Sequence, residues 1–127
     1  MKKRMFSIVF IAVLVLFCSC QIYYEYKFEQ SLDQVSQVYI VSEKDGIEVL
    51  NECDIEILDD IQALPCQKYW NDPPHEIVAP YILIEYNNGA IEKICASSNY
   101  YEIEGKWDYD WEYFDSDEFL EVLQKYQ

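Results

Sequence analysis

The stretch from Tyr81 to Gly89 constrains the fold most, because it combines an apolar strand with a tight turn. Tyr81–Tyr86 reads YILIEY, a nearly continuous apolar run. Such a run is typical of a strand that is buried in the middle of a sheet. The Asn88-Gly89 dipeptide that follows tolerates positive φ and favours a hairpin turn. Residues 90–96 are therefore predicted to return as the antiparallel partner.

Three further segments have the pattern of strands. From Tyr24 onward, aromatic side chains alternate with charged ones, which predicts a short strand within residues 22–29. β-Branched residues are frequent on the N-terminal side of the turn signal Lys44-Asp45-Gly46, and apolar residues resume after it. Residues 36–50 are therefore predicted to form a hairpin. Another strand is predicted to begin at residues 100–103.

Two segments are predicted to be helical. The first, at residues 54–64, has four apolar residues that recur at a spacing of three, namely Ile55, Leu58, Ile61 and Leu64. Asp54 or Asn51 is available as its N-cap, and Pro65 ends it. Near the C-terminus, Asp115–Glu118 resembles a capping box and precedes a short apolar helix. The order of elements predicts an α+β fold, a small antiparallel sheet packed by one central helix and a short C-terminal helix.

An aromatic and acidic segment, residues 106–114, is the main candidate for ligand contact. In an extended conformation its aromatic side chains share one face and its acids share the other. One interpretation is an aromatic platform for sugar rings or a peptide. The other is an ordinary half-buried strand, whose aromatics cover the sheet while its acids face water. On the first interpretation the candidate contact residues are Trp70, Trp107, Tyr109 and Trp111.

The N-terminus has the pattern of a lipoprotein signal. Positive residues 2–4 precede an apolar run over residues 5–17, and Cys18-Ser19-Cys20 closes the segment. The run is shorter than the roughly 20 residues that span a bilayer. We therefore predict a signal peptide at residues 1–19 and one extracytoplasmic domain at 20–127, anchored in the cell membrane by lipid on Cys20. The rival interpretations are an ordinary cleaved signal and an uncleaved anchor.

Net charge limits the partners of the mature domain. From residue 20 onward the chain has 24 acidic residues, six lysines and no arginine, a formal charge of −18. Nucleic acid is therefore an unexpected partner, because no basic patch is available to neutralise phosphates. The acidity serves solubility on one interpretation. On the other it steers a basic partner to the domain.

Three cysteines remain after Cys20, so at most one internal disulfide forms and one thiol stays free. The predicted central helix separates Cys53 from Cys66 by more than a disulfide spans. A Cys66–Cys95 or Cys53–Cys95 bridge remains open. The alternative is that all three are small buried hydrophobic residues.

The sequence contains no recognisable catalytic or metal-binding constellation. His75 is the only histidine and lies in a proline-rich loop, and no nucleophile motif accompanies it. The acids between Asp108 and Glu112 resemble the start of a calcium loop, but Tyr113 and Phe119 occupy the positions where an EF-hand needs Gly and Glu. We therefore expect no enzyme activity, no metal and no cofactor.

The layout as a whole resembles small uncharacterised lipoproteins of low-GC Gram-positive bacteria. The likeness lies in Cys18-Ser19-Cys20, Tyr23-Tyr24-Glu25-Tyr26, the strand from Val35 to Val41, Tyr81 to Gly89 and the helix from Phe114 to Leu123. The resemblance implies the outer face of a single plasma membrane and brings no activity with it. We therefore expect a non-catalytic binding module with a protein or glycan partner at the cell surface. The alternative is an acidic inhibitor or immunity protein that occludes a basic enzyme or toxin.

Overall fold

A computed structural model describes residues 23–68, 76–110 and 112–127 of the chain. It confirms the predicted α+β fold, with a six-stranded antiparallel sheet, a second sheet of two strands and two helices. The elements are β1 Val35–Lys44, β2 Ile47–Cys53, α1 Ile57–Gln62, β3 Cys66–Lys68, β4 Tyr81–Tyr86, β5 Ile91–Ile94, β6 Asn99–Ile103, β7 Lys106–Asp110, β8 Glu112–Phe114 and α2 Ser116–Lys125.

The large sheet has the strand order β2-β1-β4-β5-β6-β7, and β3 pairs with β8 in the small sheet. Tight turns with two residues of positive φ join β1 to β2 and β6 to β7. Asp45 and Gly46 link β1 to β2 with φ of 55° and 78°, and Glu104 and Gly105 link β6 to β7 with φ of 52° and 76°. Two consecutive residues with positive φ define the type I′ turn, whose twist matches that of the strands it joins. The hairpin predicted over residues 36–50 is thus confirmed.

One face of the large sheet, which we call the inner face, packs against both helices. Helix α1 buries Ile57, Leu58 and Ile61, and α2 buries Phe119 and Leu123. They meet a set of buried strand residues on that face, Val38, Ile40, Ile82, Ile84 and Ile94. Because side chains alternate along a strand, the residues between these ones lie on the opposite face, which we call the outer face.

The helix predictions are correct in position and partly wrong in detail. Helix α1 begins at Ile57, and Ile55 is 47% exposed, so Ile55 does not belong to the buried face. Asp54 instead forms a turn before the helix, because its Oδ1 accepts the Glu56 backbone N–H at 2.9 Å. In α2, Asp115 caps the helix as predicted by accepting the Glu118 N–H at 3.1 Å.

Two strand predictions are wrong. Between residues 23 and 29 the only β-pairing is a single bridge between Tyr24 and Cys66. The segment 106–114, whose shared aromatic face assumed one extended conformation, contains two strands, because β7 pairs with β6 in the large sheet whereas β8 pairs with β3 in the small sheet. The chain therefore changes sheets between Asp110 and Glu112, and the aromatic alternation crosses that break.

Cys53, Cys66 and Cys95 are all free thiols, so neither the Cys66–Cys95 nor the Cys53–Cys95 bridge that the sequence left open is formed in the structure. Cys66 packs in the core on the inner face, together with Tyr26 and Phe114. Cys95 packs with Tyr81 in a smaller cluster on the outer face. The two thiols thus lie on opposite sides of the large sheet.

Candidate functional site

The candidate site is the outer face of the large sheet near strand β7. Trp107 and Tyr109 stand opposite Glu102 and Tyr100 of β6. Cross-strand partners share a face, and Tyr100 also stands opposite Lys93 of β5. The sheet register therefore brings Trp107 and Tyr109, two residues that the sequence singled out, to the face that the helices do not cover.

Register extends this site into a row across five strands. From β1 to β7 the row comprises Tyr39, Leu83, Lys93, Tyr100 and Tyr109. The ring centroids of Tyr100 and Tyr109 are 4.9 Å apart, and those of Trp107 and Tyr109 are 5.7 Å apart. We call Tyr100, Trp107 and Tyr109 the aromatic cluster. Trp107 is its most open member, with 65% of its surface exposed.

Lys93 occupies the centre of the row and contacts two aromatic rings. Its ammonium lies 5.6 Å from the centroid of the Tyr81 ring and 5.4 Å from that of the Tyr100 ring. Such cation–π contacts hold a long side chain against the sheet. Lys93 is the one cation among the strand residues that the register assigns to the outer face.

Carboxylates flank the aromatic rings on the same face. The Tyr81 hydroxyl donates to Glu48 Oε2 and the Tyr100 hydroxyl donates to Glu102 Oε2, each at 2.9 Å. Burial and the neighbouring carboxylate raise the pKa of each of the two tyrosines to about 12. Both phenols therefore stay protonated at neutral pH and can donate to Glu48 and Glu102.

Part of the outer face is covered by the chain itself. Ile77 and Ala79 pack against Val41, Tyr81 and Leu83, close to the middle of the sheet. The described residues leave the β6–β7 end of the outer face open, because Trp107 is 65% exposed there. The aromatic cluster therefore lies at the accessible end.

Several residues that the sequence singled out lie outside the described part of the chain, namely Cys20, Trp70, His75 and Trp111. The structure thus brings together two of the four candidate contact residues and leaves the other two undescribed. Sequence reasoning missed Tyr39, Tyr81, Lys93 and Tyr100. The only local signal for them is the alternation of side chains within each strand. Alternation shows which residues of a strand share a face, but it does not show which residues of other strands lie beside them.

A second polar cluster is buried on the inner face around Glu92, which is fully inaccessible. Its Oε2 accepts the Tyr26 hydroxyl at 2.5 Å, and its Oε1 accepts the Tyr86 hydroxyl at 2.5 Å and the Glu29 N–H at 3.0 Å. Burial raises the pKa of Glu92, whereas these three donors lower it. Protein groups therefore satisfy this carboxylate, and a ligand has no open route to it.

Among the described residues, no group of three or more His, Cys, Asp or Glu residues is arranged to hold a metal ion. No helix within the described ranges is long and apolar enough to cross a membrane.

The chain matches no protein-family model, no curated protein and no solved structure. The site must therefore be interpreted from its own geometry.

Proposed function

We propose that the protein is a lipid-anchored, non-catalytic module that binds a basic protein partner on the extracytoplasmic face of the membrane. The observation that supports this most is the aromatic cluster on the uncovered part of the sheet. Tryptophan and tyrosine contribute most to protein interfaces, because they bury a large area at a low cost in conformational entropy. An indole that is 65% exposed at Trp107 is left in water unless a partner covers it.

The ring geometry favours a protein over a glycan. The Trp107 and Tyr109 rings meet at 76°, and the Tyr100 and Tyr109 rings at 61°. Successive sugar units of a linear glycan stack best on rings that share a plane. Rings that meet edge to face instead form notches for individual side chains.

Charge favours a basic partner. Glu48, Glu85 and Glu102 lie on the outer face, and Lys93 is the one cation among the described strand residues of that face. A surface of this sign accelerates encounters with basic proteins and repels acidic ones. The same charge distribution suits the second candidate function, an inhibitor or immunity protein that covers a basic enzyme or toxin.

Membrane anchoring through Cys20 would hold this module close to the bilayer. Tyr24 is fixed to the small sheet, because its N–H and C=O bond to the backbone of Cys66 at 2.9 and 3.0 Å. The four residues from Cys20 to Tyr23 reach at most about 14 Å. On this proposal the domain works beside the membrane surface and not at the end of a long tether.

A retention experiment tests the binding function. Full-length protein, purified in mild detergent and immobilised, is incubated with envelope extract, and the retained proteins are identified by mass spectrometry. We expect a basic protein that is retained by the wild type and lost with Trp107→Ala/Tyr109→Ala. Tyr23→Ala is the matched control, because Tyr23 is 57% exposed but lies outside the aromatic cluster. The same retained set for all three proteins would contradict the proposal.

Two further measurements separate the rival functions. At about 0.5 M NaCl, screening limits the range of interactions between exposed charges to a few ångströms. A complex held by electrostatic attraction, as expected for an inhibitor, should therefore dissociate at this salt concentration. Binding to a glycan array that is lost with Trp107→Ala would replace the protein partner with a sugar. For the anchor, metabolic labelling with a clickable fatty acid should label the wild type and not Cys20→Ala.

A further inference from the structure

Strand β2 forms an edge of the large sheet and pairs only with β1 among the described residues. Every residue from Ile47 to Glu52 is exposed, although the strand is seven residues long. Three of its apolar side chains are in water, Ile47 at 69%, Val49 at 38% and Leu50 at 50% exposure. Exposed apolar residues on both faces of an edge strand are unusual in a monomer and characterise a surface that pairs with another strand.

The hairpin turn determines which backbone groups of β2 are free to pair. In a two-residue hairpin the residues that flank the turn, here Lys44 and Ile47, exchange both of their hydrogen bonds. The bonding then alternates along the strand. Residues at odd positions bond to β1, whereas the N–H and C=O groups of Glu48, Leu50 and Glu52 point away from the sheet.

Strand β2 lacks the features that usually protect an edge. It contains no proline and no lysine, and its register with β1 continues without a bulge from Val38–Cys53 to Lys44–Ile47. The opposite edge, β7, is shorter, at five residues, and contains Lys106. Lysine, bulges and short lengths prevent unwanted pairing, and the charged residues of β2 are Glu48 and Glu52 alone, so β2 is the more receptive edge, in particular toward a basic strand.

Charge selects the occupant. Glu48 and Glu52 lie on the outer face beside Leu50, and Glu43 stands opposite Glu48 on β1. Antiparallel pairing with a second copy centred on Leu50 would put Glu48 of one copy against Glu52 of the other. Like charges directly opposite each other destabilise a strand pair, so the edge is unfavourable for a homodimer.

We propose that β2 accepts an extended basic segment of a partner protein as a seventh strand of the large sheet. The segment runs antiparallel to β2 and presents lysine or arginine to Glu48 and Glu52, with apolar residues at the positions opposite Val49 and Leu50. Only the identification of the partner as a basic protein rests on the proposed function. The pairing itself follows from the geometry of this edge.

A peptide of matched design is the probe. In the antiparallel direction, the sequence Lys-Thr-Val-Val-Lys-Ile puts lysine opposite Glu52 and Glu48 and apolar side chains opposite Leu50, Val49 and Ile47. A fluorescent version is titrated with the full-length protein in mild detergent, and its anisotropy is recorded. A control peptide has glutamate in place of both lysines. We expect saturable binding of the basic peptide that is at least about tenfold tighter than that of the acidic one.

Variants at Leu50 separate backbone pairing from side-chain contact. Leu50→Pro removes an outward N–H without removing a bond to β1, and proline is tolerated at such edge positions. We expect Leu50→Pro to weaken the basic peptide at least about tenfold, and Leu50→Ala, which keeps the N–H, only about threefold. Equal affinity of Leu50→Pro and Leu50→Ala would overturn the proposal, as would failure of the wild type to bind the basic peptide.

A charge exchange keeps the test decisive if Leu50→Pro does not fold. Glu48→Lys/Glu52→Lys should reverse the preference from the basic to the acidic peptide, and an unchanged preference would overturn the proposal. Tyr23→Ala, which lies outside both β2 and the aromatic cluster, should leave peptide affinity unchanged. The separate retention experiment with Trp107→Ala/Tyr109→Ala distinguishes failure of the aromatic cluster from failure of the edge. Sedimentation that shows a dimer, lost with Leu50→Pro, would assign the edge to a second copy and so contradict the proposal.

Discussion

The hydroxyl of Tyr26 donates to Oε2 of Glu92 at 2.5 Å, which joins two residues that lie 66 positions apart in the chain. Tyr26 and Glu92 are both fully buried. The Asn99 amide donates to the same hydroxyl at 3.2 Å, and the other Glu92 oxygen accepts from Tyr86. This network fastens the irregular segment before β1 to the centre of the large sheet, so that segment belongs to the core.

Removing an acceptor from this network should destabilise the protein. Glu92→Gln replaces one carboxylate oxygen with an N–H₂ group, which faces a tyrosine donor and leaves it unsatisfied. We expect a loss of about 1–3 kcal/mol in the free energy of unfolding, because an unsatisfied buried donor costs that much. Chemical denaturation followed by circular dichroism measures it. Glu104→Gln, the same change at an exposed position, is the control, and a Glu92→Gln protein within about 0.5 kcal/mol of wild type would contradict this account.

The N-terminal alternation shows how far local pattern reaches. Period two from Tyr24 onward identified the side chains that are buried, and Tyr26 is indeed inaccessible. The pattern did not predict the backbone pairing correctly, because the segment forms a single bridge, Tyr24–Cys66, and not a strand. The segment is held by a side-chain bond from Tyr26 to Glu92, a partner that no window of local sequence contains. The hairpin over residues 36–50 was predictable because its turn, Asp45-Gly46, lies within such a window.

The candidate site also contains residues that local sequence predicts and residues that only the sheet register brings together. Trp107 and Tyr109 were predictable as neighbours on one face, since alternation within a strand is local. Tyr100 and Lys93 join them only through the register of β5, β6 and β7, which depends on pairing across the sheet. Contact of these residues with a ligand stays a prediction.

Stability should rise as the pH falls below neutrality. Glu112 is half-buried, its Oε2 is buried without a hydrogen-bond partner, and burial together with the charge of Asp110 raises its pKa from 4.5 to about 7. Because the folded state holds this proton more tightly, the stabilisation is complete below about pH 4.5 and is lost as the pH rises through about 7. The pKa values of Glu29 and Glu92 are raised too, which acts in the same direction. Unfolding midpoints at about pH 5 and pH 8 should differ accordingly.

Glu112→Gln isolates the contribution of that carboxylate. The variant should flatten the pH dependence by about 1 kcal/mol, a value discounted for the solvent that screens a half-buried group. The matched control is Glu104→Gln, because Glu104 is exposed in the β6–β7 turn. Equal flattening by both variants would mean that general charge repulsion, and not Glu112, produces the effect.

The three described thiols should differ in reactivity in the native state. Burial and the nearby charge of Glu112 raise the pKa of Cys66 to about 12, and Cys95 is only 6% exposed. Cys53 is partly exposed, although burial and Asp54 raise its pKa as well. We therefore expect iodoacetamide to modify Cys53 first, and Cys66 and Cys95 at least about tenfold more slowly until the protein unfolds. Peptide mapping by mass spectrometry reads this out, and a Cys66–Cys95 bridge in protein from an oxidising compartment would contradict the structure.

The cap of α2 should contribute measurably to stability, because this helix delivers Phe119 and Leu123 to the core. Asp115→Ala removes the acceptor of the Glu118 N–H, and we expect a loss of about 1 kcal/mol in the free energy of unfolding. Asp117→Ala is the matched control, since Asp117 is an acidic residue of the first turn that does not cap the helix. It loses only the interaction with the helix dipole, at most about 0.5 kcal/mol at moderate salt. Equal losses for the two variants in thermal denaturation would show that charge near the helix end, and not the hydrogen bond of Asp115, stabilises α2.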